Sequence, residues 1–107
     1  MSAILRRFRT FQTVTAAGAA TTTINNPSTQ VTVNMTGATG VQTVVLPSAN
    51  NYAGVEVGVR VTGAVAVQTV LVQSPAGTTI DTFAASTNGS RSYVFNGTVY
   101  QAASTPA

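Results

Sequence analysis

An all-β fold is predicted for this chain, in the form of a small antiparallel β-sandwich or barrel or an intertwined β-prism, and three observations predict it. The polar residues are mostly Thr, Ser, Asn and Gln, and Thr together with Val favours pleated, half-buried surface over helix. Apolar and polar residues alternate at period two in several short runs, which turn signals containing Gly, Pro or Asn separate at intervals of roughly 8 to 12 residues. No stretch reads as a crossover helix, which argues against an α/β arrangement.

The elements follow in order. From Ser2 to Phe11 the apolar residues Ile4, Leu5, Phe8 and Phe11 recur at helix-compatible spacing around Arg6, Arg7 and Arg9, so an extended or short helical arm is expected. Alone in water so short a helix is marginal, and it orders only against a partner. Gln12 to Thr23 carries Val14 as its single large aliphatic residue and reads as a weak strand or linker. The expected organisation is therefore an arm and linker over 1–23, a β domain over 24–102 and a tail over 103–107.

Within the domain, Val31, Val33 and Met35 alternate with Thr32 and Asn34 after the Asn25-Asn26-Pro27-Ser28 turn signal. Val41 to Leu46 forms a second strand that Pro47 ends. The clearest strand is Val55 to Thr62, with Val55, Val57, Val59 and Val61 on one face and Glu56, Gly58, Arg60 and Thr62 on the other. Val65 to Gln73 reads as another long strand, followed by a Ser74-Pro75-Ala76-Gly77 turn and a short strand over Thr79 to Phe83. Asn88-Gly89 marks a turn, Tyr93 and Phe95 alternate inward, and Asn96-Gly97 predicts a tight two-residue hairpin into Thr98 to Gln101.

Composition restricts function. The chain has 107 residues with no His and no Cys, and Glu56 and Asp81 are its only carboxylate side chains. That removes catalytic triads, zinc sites built on His or Cys and most acid–base pairs, so no enzyme and no cofactor are expected. Two carboxylates are too few for calcium, and Asp81 reads as a turn cap. Glu56 and Arg60 read as a surface ion pair. Charged residues are 7% of the chain against roughly 25% in an ordinary soluble domain. So little charge on so small a core favours a homo-oligomer whose copies cover one another. Three arginines without a basic body give a weak electrostatic footprint, and no nucleic-acid partner is expected. No run of about 18 apolar residues is present, and Thr10 to Thr15 is polar where a signal peptide is apolar, so neither a membrane helix nor a secretory signal is expected.

Leu46-Pro47-Ser48-Ala49, the alternating strand Val55 to Thr62, Pro75-Ala76-Gly77-Thr78-Thr79-Ile80-Asp81 and Tyr93-Val94-Phe95-Asn96-Gly97-Thr98-Val99-Tyr100 occur in that order. Over residues 41–101 this series resembles the small β modules of tailed-phage head decoration (cement) proteins, head fibres and tail-fibre segments. The chain departs from that pattern in having Tyr100 where a Trp is common, and in its N-terminal arm. The resemblance implies a homotrimer on the outer surface of the capsid, with the major capsid protein as partner. Ile4, Leu5, Arg6, Arg7, Phe8, Arg9 and Phe11 are then the candidate capsid-anchoring residues, with Arg pairing carboxylates and the apolar side chains filling pockets; the alternative is a solvated terminus. A fibre or spike segment that binds a host-surface glycan through loops at Asn50-Asn51-Tyr52 or Thr82 to Ser90 is the competing reading. Tyr93, Phe95 and Tyr100 suit a glycan platform in type, but their inward alternation favours core packing.

Overall fold

The computed structural model describes residues 10–26, 29–48, 54–65 and 68–103. Among these are nine strands and no helix: β1 (Thr10–Thr15), β2 (Ala20–Thr23), β3 (Thr29–Asn34), β4 (Gln42–Val45), β5 (Glu56–Thr62), β6 (Val70–Gln73), β7 (Thr79–Phe83), β8 (Gly89–Phe95) and β9 (Tyr100–Ala103). They form a β-sandwich of two sheets, ordered β1-β3-β5-β8-β9 and β2-β4-β6-β7.

The sheets are mixed, which corrects the antiparallel expectation. β1, β3 and β5 run parallel, as do β2, β4 and β6; β7, β8 and β9 join antiparallel. The reason lies in the connections. The chain crosses from one sheet to the other between β1 and β2, between β3 and β4 and between β5 and β6, so each strand re-enters its own sheet in the direction of the one before. Each pair forms a rung, and three rungs stack.

Rung stacking places like residues over like. Val14, Val33 and Val61 align in one sheet, and Val44 and Val72 in the other. Val31, Val33, Val57, Val59, Val70, Val72 and Tyr93 are buried between the sheets, with Ile24, Met35 and Leu46 closing the ends. The alternation expected for Val55 to Thr62 is present, with Val57, Val59 and Val61 inward and Arg60 exposed.

The rungs have two unlike ends. Segments after β2, β4 and β6 carry Pro27, Pro47 and Pro75 in sequence, and this is the proline end. The crossings after β1, β3 and β5 carry Gly18, Gly40 and Gly63, and this is the glycine end. There the rungs touch through backbone: Thr39 N donates to Ala17 O at 2.8 Å and Met35 N to Thr62 O at 2.8 Å. Gln42 is buried, and its Nε2 donates to Gly18 O at 2.7 Å, which satisfies a polar group that would be costly unpaired. Gly63 has φ +64°, and a Cβ there would meet Thr36 Oγ1 and N, so both conformation and space require glycine.

Several boundaries differ from expectation. Of the weak strand or linker expected over Gln12 to Thr23, strand is found: β1, which begins at Thr10, and β2 make the first rung, because backbone pairing to β3 and β4 holds a segment that has few apolar side chains of its own. Val65 to Gln73 is not one strand: β6 starts at Val70, and Val70 and Val72 point inward while Leu71 is half-buried. The last strand runs to Ala103, one residue into the expected tail.

Candidate functional site

Of the seven candidate anchoring residues, Ile4, Leu5, Arg6, Arg7, Phe8 and Arg9 lie outside the described residues. Phe11 is in β1, not in an arm, and it faces away from the core with 72% of its surface exposed, the most exposed large apolar side chain among the described residues. β1 enters at the proline end: Thr10 pairs with Thr29, where Thr29 Oγ1 donates to Asn26 O at 2.6 Å. With its hydrogen so used, Thr29 Oγ1 accepts from Thr10 Oγ1 at 2.5 Å, which fixes the point where the N-terminal segment joins the sheet.

The proline end also holds an open cleft of about 580 Å³, bordered by Ser48, the turn from Ser74 to Thr78, Ile80 and the segment Phe95 to Tyr100. The hairpin behind it is shaped by Asn96. Its Oδ1 accepts from Thr98 N at 2.9 Å and Val99 N at 3.0 Å, its own N–H donates to Val99 O at 3.0 Å, and Gly97 has φ +104°. The loop is thus four residues, Asn96 to Val99, where two were expected; Phe95 pairs with Tyr100 across it. This side-chain turn leaves Val99 52% exposed on the rim.

Tyr100 forms the floor. Its hydroxyl donates to Pro47 O at 2.7 Å, tying one sheet to the loop after β4, and burial pushes its pKa up. The Phe95 and Tyr100 rings are 5.4 Å apart, tilted by 60°. Tyr93 and Tyr100 are core residues, as their alternation predicts, while Phe95 is half-buried against the cleft. The cleft is walled by apolar carbon and small hydroxyls, with no charged group among its described lining residues.

Asp81 is not a turn cap. It sits within β7 facing inward, and its carboxylate reaches across to the other sheet. Arg91 Nη1 donates to both carboxylate oxygens at 2.7 Å, Tyr93 OH to Oδ2 at 2.7 Å and Thr82 N to Oδ1 at 2.8 Å. Burial alone would raise the Asp81 pKa; the hydrogen bonds from Arg91, Tyr93 and Thr82 outweigh it and hold the carboxyl below its ordinary value. Burial, and after it the same contact with Asp81, push the Tyr93 hydroxyl far above its usual range. The Arg91 guanidinium also lies 5.3 Å from the Phe83 ring centroid. Four residues from facing strands therefore clasp the two sheets, and the cluster closes the fold rather than forming a solvent-facing pair of acids.

Glu56 and Arg60 both lie on the outward face of β5. Of the loops proposed for glycan contact, Asn50-Asn51-Tyr52 lies outside the described residues, and Thr82 to Ser90 turns at the glycine end, away from the cleft. No protein-family model, curated protein or solved structure matches this chain.

Proposed function

We propose that this chain is a non-enzymatic structural protein of a phage virion, a decoration or cement protein that binds the outer surface of the head as a homo-oligomer and stabilises the shell. The observation that carries this reading is the placement of Phe11. The segment holding Ile4, Leu5, Arg6, Arg7, Phe8 and Arg9 immediately precedes β1 in sequence, and the first large apolar side chain of that edge strand, Phe11, faces solvent, which supports a docking role for the N-terminal segment. Binding only to the assembled shell would stabilise that shell by mass action.

The test follows from the strand boundary. Deleting residues 1–9 leaves β1 intact, so the truncated protein is expected to keep its circular dichroism spectrum and thermal transition while losing binding to purified heads. Truncated protein that still decorates heads at full occupancy would remove the anchoring role. In intact particles the chain is expected in hundreds of copies, about the order of the major capsid protein lattice, as read by quantitative mass spectrometry.

A second reading is a fibre or spike segment that binds a neutral host-surface glycan, and the cleft at the proline end favours it. Apolar walls with small hydroxyls and no charge suit a sugar, which offers apolar ring faces and neutral hydroxyls. Binding to neutral oligosaccharides on a glycan array, lost in Val99→Arg at the rim, together with a handful of copies per particle, would select this reading over the first.

A further inference from the structure

The two lateral sides of the stack differ. On the side of β7, β8 and β9, register shifts between Val72 and Gln73, and the Asp81, Arg91 and Tyr93 contacts bind sheet to sheet. On the other side both sheets end at the same rung, β1 in one and β2 in the other, and no strand lies beyond either among the described residues.

Among the described residues, that first rung lacks charge, proline and bulge, three of the features by which proteins protect an open edge. Residues 10–26 include no charged residue and no proline, and the pairing of β1 and β2 to the second rung is regular from end to end. Parity shows which backbone groups are turned outward. Ala16 N donates to Asn34 O, and Ala20 N and Ile24 N donate to Val41 O and Val45 O, so the even-numbered residues bond to the second rung. In a regular strand the odd-numbered ones, Phe11, Thr13 and Thr15 in β1 with Thr21 and Thr23 in β2, then aim N–H and C=O at the open side.

We propose that the first rung is a self-association surface, and that its occupant is the first rung of a second copy of this chain. A single extended peptide would satisfy one edge and leave the other open. The occupant must present two strands at once, separated by the spacing of two packed sheets, about 10 Å, and it must be uncharged. Another first rung meets all three conditions. Turned over by a two-fold axis normal to the sheets, it pairs β1 with β1 and β2 with β2, both antiparallel, and continues the core past Val14 and Ala16.

The size is that of a small interface. Six residues of β1 and four of β2 at about 3.3 Å each, across two sheets with their outward side chains, give an end face of about 400 Å² per copy, or about 800 Å² in all, and the paired backbone groups of both edges add to what that area contributes. Like surfaces meeting on a two-fold axis close on themselves and stop at two copies, unlike the three that the resemblance implies.

The experiment is the mass of the free full-length protein at micromolar concentration by light scattering or sedimentation equilibrium. The expected mass is twice the 10.9 kDa of the chain. Thr13→Pro with Thr21→Pro removes two outward N–H groups without touching the ladders to β3 and β4, a place where an edge strand tolerates proline. The double variant is expected to be monomeric with an unchanged circular dichroism spectrum. Should it fail to fold, Thr13→Lys with Thr21→Lys is the substitute, which keeps every backbone group and places charge on the edge strands. A monomeric or trimeric wild type, or a dimer that survives in a folded edge variant, overturns the proposal. None of these measurements involves heads, so the result is independent of whether the chain decorates them.

Discussion

Gly40→Ala is expected to destabilise the protein by about 1–3 kcal/mol or more, as overpacking against immobile atoms does, and for a domain held by about 5–15 kcal/mol that is a large share. A Cβ at position 40 would lie 2.1 Å from Ala19 N, 2.6 Å from Ala19 Cα and 2.8 Å from Gly18 C. All three are backbone atoms of the rung below, so no side chain can swing aside. That backbone is itself held from the second rung: Ala20 N donates to Val41 O at 3.2 Å, Thr39 N to Ala17 O at 2.8 Å and Gln42 Nε2 to Gly18 O at 2.7 Å. Relieving the clash means parting the first rung from the second at the glycine end. Gly18→Ala is the control, because a Cβ there meets nothing within 4 Å and the residue does not have a positive φ. Urea unfolding of the two variants measures the difference; equal midpoints would mean that the rungs do not approach as closely as described.

The features that were legible in the sequence are those that local pattern controls. The alternation in Val55 to Thr62 has one solution, and β5 is the central strand of its sheet. The Asn96-Gly97 signal correctly marks a chain reversal, but the loop length depends on Asn96 Oδ1 accepting from two backbone amides, which leaves the dipeptide unable to tell two residues from four. The stacked rungs were not legible, and the reason is unequal spacing. Val14, Val33 and Val61 are stacked neighbours, yet 19 and 28 positions separate them, and Ala20, Gln42 and Val70 are 22 and 28 apart. No fixed period survives crossings and returns of different length. The signal that remained was the order of the small pieces, a valine-rich strand, a glycine crossing, a second strand and a proline turn, repeated three times with the first copy depleted of valine.

That depletion also hid the first rung. Thr10 to Thr23 buries almost nothing, and burial is what a hydrophobic pattern reports. Its structure comes from backbone hydrogen bonds to the next rung, which any sequence free of proline can supply. The cleft was missed for a related reason: Ser48, Ser74 and Phe95 have no spacing in common and meet only because three returns end on the same side of the sandwich.

Asp81→Ala is expected to cost about 1–3 kcal/mol, because it leaves the buried Tyr93 hydroxyl without its acceptor, while Tyr93→Phe, which deletes the donor instead, costs about 1 kcal/mol. The relative sizes identify which contact matters. Arg91 is 45% exposed on its side chain, so its attraction to Asp81 is screened and Arg91→Ala is expected to cost less than Asp81→Ala. Tyr93 is fully buried, and its hydroxyl has no route to water. If the Tyr93 contact dominates, the double variant Asp81→Ala with Tyr93→Phe is less destabilised than the sum of the single changes, since no donor is then stranded. The dependence on pH has a definite sign. The folded Asp81 pKa is lowered, so the native state holds fewer protons than the unfolded chain on the acid side. Its stabilisation is complete above the unfolded carboxyl value of about 3.9 and is lost as pH falls through the lower folded value. Because Glu56 is the only other carboxylate side chain, a single substitution isolates this effect, which a protein rich in acids would bury among many. The urea midpoint of the wild type is expected to fall on acidification below that value, and that of Asp81→Asn to stay nearly level. Parallel curves for the two proteins would show that the two sheets are held together by the core alone.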